Sequence, residues 1–483
     1  MALPPNQSDP ASGSEGASAV DEMARLRSEH AAQGELIARL LAEIAELKRR
    51  LGLDSSNSGK PPSSDGLKKK PSRVRSLRER SGKRTGGQKG HPGKTLLQVE
   101  TPDTVVDHYP AACARCGSAL TAAMATSHGA RQVFDLPAPQ PLVVTEHRAH
   151  VCSCGRCGAP TQAAFPEGVA APVQYGARIS AFVVYLLQGH FVPEDRLAEL
   201  MRDLFGVSLV PATIARMSHS CAGRLHSFAQ EVRECVNGAK VKHLDETGFR
   251  LCGKTQWLHI ASSALLTCYR VCAKRGSLWD NVVGTVVHDH WKPYYTMKGV
   301  LHALCNAHHL RELKALIDID QEDWARKMQI LLRRACHATN LARQPGITLK
   351  PRLIARIERR YDAIVAEGLA FHQAKPALRR LQRRSGKPRR IGHNFLVRLV
   401  QRRDDVLRFL HDTNVPFTNN QAERDARMMK LRQKISGGYR SQDSADDFAA
   451  IRSVISTAKK QGWDIVHTLM QDPQKLIQAL RTA

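Results

Sequence analysis

No apolar run among the 483 residues is long enough to cross a bilayer; the longest, near Ile179–Leu187, falls well short of the roughly 20 residues a spanning helix needs. The stretch Met1–Ala19 is polar, rich in proline, serine and glycine, and holds no apolar signal core. These absences argue against a membrane-embedded or exported chain, so a soluble intracellular protein is expected. Acid is missing where base is most crowded. Residues 375–403 carry eleven Lys or Arg and no acid, and residues 68–94 carry eleven with a single Glu. Together these blocks hold +21 of a formal net charge of +27, which comes from 72 Lys and Arg against 45 Asp and Glu. Charge gathered in blocks is the pattern of phosphate-binding arms and faces, and a polyanion such as nucleic acid is the partner it favours over a merely solvated surface. In a reducing compartment the twelve cysteines read as metal ligands or buried thiols rather than a disulfide framework.

The length exceeds what one hydrophobic core serves, so two to four domains are expected. Residues 1–19 read as disordered. Residues 20–53 read as a helix in which Ile37, Ile44 and Leu51 recur every seven residues, with Leu40 and Leu47 three further on. That seam suits a short dimerising coiled coil; a helix packed on its own chain is the alternative. Residues 54–100 begin with the linker-like Asp54–Pro62 and continue as a basic arm. Its Lys68, Lys69, Lys70, Arg73, Arg75, Lys83, Arg84 and Lys89 would track phosphates, unless the segment is an ordinary solvated linker.

Residues 101–165 contain two Cys-x-x-Cys pairs, Cys113 with Cys116 and Cys154 with Cys157, separated by 37 residues that include strand-like Gln132–Phe134 and Leu142–Val144. Two such knuckles offer four thiolates to one tetrahedral ion, so a structural zinc is expected. Cys152 is a spare that could replace Cys154, and a redox pair is the weaker alternative because nothing nearby reads as a thioredoxin-type unit. Residues 166–238 read as helices. The break at Gly206 and the restart after Val210-Pro211 outline a helix-turn-helix with Thr213 and Arg216 toward a groove, or else plain helical packing.

Residues 239–316 switch to period-two and fully apolar runs: Val241–Leu244, Trp257–Ala261, Leu266–Val271, Thr285–Val287 and Leu301–Cys305, the last entering a helix at His309–Leu316. Three antiparallel-looking strands followed by strand–helix alternation predict a mixed sheet flanked by helices. Residues 317–412 are mostly helical and very basic, with Arg379, Arg380, Arg383 and Arg384 as phosphate contacts. Helices resume at Gln421, and 466–483 form a helical tail.

Asp245 and Asp289 each follow a short apolar run, and Glu423 lies in the helix-start sequence Asn419-Asn420-Gln421-Ala422-Glu423-Arg424. Two strand-end aspartates and a downstream helical glutamate can supply the hard oxygens a pair of magnesium ions needs to act on a phosphodiester. Surface carboxylates are the commoner case, and Asp280, His288 and His290 compete with Asp289. Glu423 could simply be a first-turn glutamate favoured by the helix dipole behind a cap at Asn419 or Asn420. Beside it, Arg424, Arg427, Lys430, Arg432 and Lys434 recur at helical spacing, either as a strand-holding face or as a solvated basic helix.

Over roughly residues 20–465 the chain resembles a DDE transposase of the bacterial insertion-sequence-sixty-six family. The resemblance rests on the run Leu51–Asp65, Gly86-Gly87-Gln88-Lys89-Gly90-His91, the paired cysteines with Asp135-Leu136-Pro137 between them, Asp245-Glu246-Thr247, Cys305-Asn306-Ala307-His308 and Asn419–Arg424. It implies a multidomain α+β chain with an N-terminal coiled coil and DNA-binding segment and a small zinc-binding domain. It also implies a ribonuclease-H-like catalytic core, 239–316 with 413–465, interrupted by a helical insertion at 317–412. The implied ligands of two Mg2+ or Mn2+ ions are Asp245, Asp289 and Glu423. For the Cys305-x-x-His308 motif, a fold-supporting and a chemical role both stay open. One position departs from the family pattern: Thr418 stands where an aspartate is usual.

What the resemblance implies is cleavage at transposon ends and joining of the freed 3′-hydroxyl to target duplex DNA. The chain would be bacterial, cytoplasmic and nucleoid-associated, a homodimer or larger, with possible accessory proteins of the same element. The rival readings are a non-catalytic DNA-binding regulator or decayed element, and a metal-dependent nuclease without strand transfer.

Overall fold

The computed structural model of the protein describes residues 14–54, 57–58, 97–135, 142–344, 346–375 and 389–482. The chain divides into two compact units, residues 78–220 and residues 1–77 joined with 221–483. Helix α1 (Ser14–Gly52) starts six residues before the expected boundary, since Glu15, Ala17 and Ala19 are good helix formers. Asn57 ends it: its Nδ2 donates to Gly52 O at 2.8 Å while its Oδ1 accepts from Asp54 N–H at 2.8 Å. Arg49 pairs with Asp320, and a Cβ on Gly52 would lie 3.1 Å from Ile319 Cδ1, so this end is held against the chain. The apolar seam is not: Ile37, Leu40, Ile44, Leu47 and Leu51 are 46–79% exposed. Among the described residues nothing covers it.

In the unit 78–220 each cysteine pair makes the same tight turn. Cys113 N–H donates to Ser118 O at 2.9 Å and Gly117 N–H to Cys113 O at 2.9 Å; Cys154 N–H donates to Ala159 O at 3.0 Å and Gly158 N–H to Cys154 O at 2.8 Å. Gly117 (φ 75°) and Gly158 (φ 72°) take the left-handed conformation that closes both turns. The second turn joins β1 (Val151–Ser153) to antiparallel β2 (Pro160–Gln162). The strand-like Gln132–Phe134 and Leu142–Val144 form no strand. Val133, Val143 and Val144 are exposed and have no apolar face to cover, so their β propensity goes unused. Instead the Gln132 side chain bonds both Val99 N–H and Val99 O at 2.7 Å. Helix α2 (Ala177–Val184) continues through a π-turn to Gly189, and α3 (Glu194–Phe205) ends at the left-handed Gly206 (φ 66°). Helix α4 (Pro211–Arg224) follows, and Val183, Leu197, Met201 and Ile214 form a small core between these helices.

Helix α5 (His226–Gly238) leads into a five-stranded mixed sheet: β3 (Val241–Leu251), β4 (Lys254–Ser262), β5 (Thr267–Cys272), β6 (Gly284–His288) and β7 (Val300–Leu304). The spatial order is β5-β4-β3-β6-β7. The first three strands are antiparallel, and β3, β6 and β7 run parallel. Cys252 (φ 47°) and Gly253 (φ 75°) make the two-residue hairpin between β3 and β4, where both positions need positive φ. Gly284 opens β6 at φ 77°, and a Cβ there would sit 2.7 Å from Lys240 O. Gly284→Ala is therefore expected to cost more than the about 1–2 kcal/mol of a left-handed alanine, because the Lys240 carbonyl must also move. The urea midpoint of the full chain reads this, and an unchanged midpoint would refute it.

The remaining helices are α6 (Asn306–Asp318), α7 (Asp323–Arg343), α8 (Pro351–Gln373), α9 (Ile391–Gln401), α10 (Arg403–His411), α11 (Asn420–Ser436), α12 (Gln442–Gln461), α13 (Ile465–Met470) and α14 (Pro473–Thr482). The basic helices α7–α10 share one apolar cluster with the sheet, in which Trp324, Met328, Tyr361, Phe395 and Leu407 join Val287 and Leu304. Each such buried side chain contributes about 1.5–3 kcal/mol, so these helices are bound to the sheet and not hung from it. Among the described residues no helix is long and apolar enough to cross a membrane.

Candidate functional site

The site is built at the ends of the three parallel strands. The β3–β6 ladder stops at His243↔Val287, and Asp245 and Asp289 are each two residues beyond that pair. Side chains alternate along a strand, so the two aspartates fall level and of one parity on neighbouring strands. Both were expected at strand ends. Asp289 is indeed the first residue after β6, whereas β3 runs on to Leu251 past Asp245, paired there with β4 alone. Asp245 therefore marks the end of the parallel ladder, not of its strand. In the same register β7 ends opposite β6 at His288↔Leu304, which brings Cys305 level with Asp289; Cys305 N–H donates to His288 O at 2.9 Å.

Helix α11 delivers Glu423 from its first turn. The buried Asn419 just before the helix is the tether: its Nδ2 donates to Leu244 O at 2.7 Å, its Oδ1 meets His243 Nδ1 at 2.8 Å, and its own N–H points at Cys305 Sγ, 3.1 Å away. Three contacts to β3 and to the end of β7 fix where the helix begins. The support at this point comes from Asn419 rather than from the residue before it, so Thr418 need not carry an aspartate's load. Around Glu423 stand Cys305 Sγ at 4.0 Å, His308 Nδ1 at 3.9 Å, Arg311 Nη2 at 3.9 Å and Arg427 Nη2 at 3.8 Å.

Both aspartates sit where their ionised forms are disfavoured. Burial, then the negative charges of Glu246, Glu423 and Asp289, hold the Asp245 carboxyl well above the ordinary aspartate range, and the Glu246 N–H at 2.9 Å only partly offsets this. Burial also raises Asp289, against the pull of the Trp291 N–H at 2.8 Å and of Arg275. A fourth carboxylate escaped the sequence reading. The Glu246 side chain, 2% exposed, takes Arg275 Nε at 2.8 Å and Nη2 at 2.6 Å, and the Tyr294 hydroxyl donates to its other oxygen. Arg275 is itself sandwiched by Trp291 and Trp257, 4.3 and 5.2 Å from their ring centroids. Adjacency to Asp245 was the available signal, but its partners lie 29 and 48 residues away and no local pattern announces them.

Among the described residues one group of three or more His, Cys, Asp or Glu gathers its ligand atoms within 4.8 Å: Cys305, His308 and Glu423. Asp245 feels the charges of both Glu423 and Asp289, but the three carboxylates do not close that tightly. Burial, followed by the Glu423 charge, pushes the Cys305 thiol up to about 12. Burial, with Arg311 and Arg398, pushes His308 down to about 3, and its Nδ1 has no hydrogen-bond partner. The four cysteines expected to bind zinc stay as two separate pairs by the same criterion. Within each pair one thiol is lowered, Cys116 mainly by its bond to Ser118 and Cys154 mainly by the Arg156 and Cys157 N–H groups. Cys152 is exposed on β1, beside the second turn.

Arg216, Arg424 and Arg427 present exposed side chains. Lys430 instead donates to Gly248 O, and Arg432 lies 3.5 Å above the Tyr439 ring, so the basic stripe of α11 is partly structural. The end of the second basic block is likewise engaged: Arg398 pairs with Glu312 at 2.5 Å, Arg402 stacks on Tyr295 at 3.6 Å, and Arg403 pairs with Asp362 at 2.8 Å. Lys68, Lys69, Lys70, Arg73, Arg75, Lys83, Arg84, Lys89, Arg379, Arg380, Arg383 and Arg384 lie outside the described residues.

Comparison with known proteins bears on the same region. Residues 2–96 match a family of unknown function (DUF6444). A stretch of 75 residues is 34% identical to the "Uncharacterized protein y4jO" of Sinorhizobium fredii (strain NBRC 101917 / NGR234), covering 16% of this chain and 23% of that protein. The chain thus spans about a quarter of the length of this curated relative. Residues 172–447, more than half of the chain and including every residue of the strand-end site, match the Transposase IS66 family. The chain belongs to that family.

Proposed function

We propose that the protein is a DDE transposase that nicks transposon ends and joins the freed 3′-hydroxyl to target DNA. The observation that carries this reading is the level pairing of Asp245 and Asp289 on adjacent parallel strands, with Glu423 close enough to raise the Asp245 carboxyl. What surrounds Asp245 is carboxylate, and buried acids that repel one another suit a site completed by cations. The strand order, with three antiparallel strands followed by two parallel ones, agrees with a ribonuclease-H-like core. Asp245, Asp289 and Glu423 would hold two Mg2+ or Mn2+ ions. When bound, such ions activate the attacking oxygen and neutralise charge on the departing one.

The chain's own residues do the positioning. Asn419 aims Glu423, the Trp291 N–H orients Asp289, and Arg275 takes up the charge of Glu246. Water attacks the phosphodiester at the transposon end and leaves a 3′-hydroxyl and a 5′-phosphate. That hydroxyl then attacks a target phosphodiester, so one bond forms as another breaks and no covalent protein–DNA intermediate arises. Exposed Arg424 and Arg427, next to Glu423, suit contact with the strand being cut. The twin cysteine turns suit one structural Zn2+ held by Cys113, Cys116, Cys154 and Cys157. The bare seam of α1 suits a parallel coiled coil with a second copy, which would bring two DNA ends together.

The test uses duplexes carrying a transposon end. Magnesium- or manganese-dependent nicking is expected from the wild type and not from Asp289→Ala or Glu423→Ala, while salt-sensitive DNA binding survives in all three. A pre-nicked end should be joined to a second duplex. Binding without nicking in the wild type would leave a DNA-binding regulator; nicking without joining would leave a nuclease.

A further inference from the structure

Glu423 belongs to two groupings of different chemistry. Toward Asp245 and Asp289 it completes a set of hard oxygens. Toward Cys305 and His308 it completes a thiol, an imidazole and a carboxylate whose ligand atoms lie within 4.8 Å of one another. Cys305 follows β7 and caps α6, and His308 sits in the first turn of that helix, so the β7–α6 junction presents both to the same Glu423 oxygen. His308 Nδ1 is buried with no hydrogen-bond partner. The Asn419 N–H, 3.1 Å from Cys305 Sγ, is a donor placed as a thiolate would want it.

We propose that Cys305, His308 and Glu423 form an inhibitory site for a borderline-soft transition ion, zinc above all, which disarms the protein by withdrawing Glu423 from the two aspartates. The inhibitory part rests on the reading of Glu423 as a member of the catalytic set. Thiolate and imidazole ligands select zinc over magnesium, which takes oxygen and demands octahedral geometry. Zinc bonds of about 2.0–2.3 Å imply ligand atoms roughly 3.5 Å apart at the tetrahedral angle. Glu423 Oε1 is already 4.0 Å from Cys305 Sγ and 3.9 Å from His308 Nδ1, so a small contraction closes the site. On binding, the Cys305 S–H bond breaks, its proton leaves to solvent and a sulfur–metal bond forms, with no change of oxidation state. Thiolate and carboxylate together cancel the ion's two charges, so the loaded site is neutral, one unit more positive than the empty site with its Glu423 carboxylate. The fourth position is left to water.

The test adds cobalt(II), as a probe of thiolate ligation, to the full-length protein with the paired cysteines already loaded with zinc. A sulfur-to-cobalt charge-transfer band is expected, absent in Cys305→Ser and weakened but not abolished by excess magnesium, which competes for Glu423. His308→Ala and Glu423→Ala should each weaken cobalt binding at least tenfold. Zinc should displace cobalt, and should inhibit magnesium-dependent nicking with the same half-saturation. An equal band in wild type and Cys305→Ser overturns the site. Should circular dichroism show Cys305→Ser unfolded, His308→Ala decides, since unchanged cobalt affinity there is equally fatal. Nicking intact with no band refutes this site alone; a band with no nicking refutes the catalytic reading, and with it the inhibitory role.

Discussion

Asp245→Asn is expected to lose metal-dependent nicking by at least about 10³-fold, the size of several kcal/mol of lost transition-state stabilisation, while the metal-free protein becomes more stable. The two effects have one cause. In the folded chain the Asp245 carboxyl is buried and faces Glu246, Glu423 and Asp289, so its ionised form is disfavoured. A carboxyl raised on folding adds stability only while it is protonated. That contribution is fully present below the unfolded-state pKa and is lost as pH rises through the folded one. At neutral pH, well above the unfolded-state pKa, the wild type has therefore lost stability that the amide, which does not titrate, keeps. A rise in melting temperature of about 2–4 °C corresponds to roughly 1 kcal/mol in a unit of 150–250 residues. The advantage of the variant should fade as the pH falls below about 3.9, where the aspartate is neutral even when unfolded. Differential scanning calorimetry without divalent ions, at neutral and acid pH, reads the stability half. A variant less stable than the wild type at neutral pH would mean that Asp245 is satisfied by its surroundings, and the argument for a cation-completed site would fall with it.

Asn419→Ala should damage stability and nicking together. The substitution orphans the Leu244 carbonyl and His243 Nδ1, both inside the protein, and removes two bonds that hold the start of α11 on β3. Leaving buried polar groups unpaired costs about 1–3 kcal/mol each. A loss of about 2–4 kcal/mol is expected in urea unfolding. Glu423 lies one turn beyond Asn419, its N–H bonded to Asn419 O at 3.2 Å, so a looser helix start shifts it directly. Misplacement by about 1 Å can cost 10²-fold, and nicking should fall by that order under conditions where the variant is still folded. Asn419→Asp, which keeps the acceptor for His243 but loses the donor to Leu244 O, should fall between. Full nicking by a folded Asn419→Ala chain would show that Glu423 is aimed by something else.

Much of the strand-end site was legible because its parts are local. Val286-Val287 and Ala303-Leu304 are short apolar runs bounded by polar residues, which is what buried parallel strands look like. The antiparallel trio was legible too, though β3 proved longer than its apolar start, since Cys252-Gly253 continues it into a hairpin. Other features had no local signature. Arg275 reaches Glu246 across 29 residues, and Asn419 reaches Leu244 across 175. Arg398, Arg402 and Arg403 look like a polyanion-binding run and are partly consumed by Glu312, Tyr295 and Asp362. Val133, Val143 and Val144 have strand propensity and no sheet to join.

The order of residues along the chain determined by itself most of the element types, the paired cysteine turns, the basic blocks and which carboxylates follow apolar runs, because each depends on neighbours a few positions apart. The tertiary structure decided which of those groups meet. Register across β3, β6 and β7 brought Asp245, Asp289 and Cys305 level, and the Asn419 tether gave Glu423 its two sets of neighbours. Charge–charge and ligand distances depend on strand pairing and helix docking over more than a hundred residues of separation, and no periodicity in the chain encodes them.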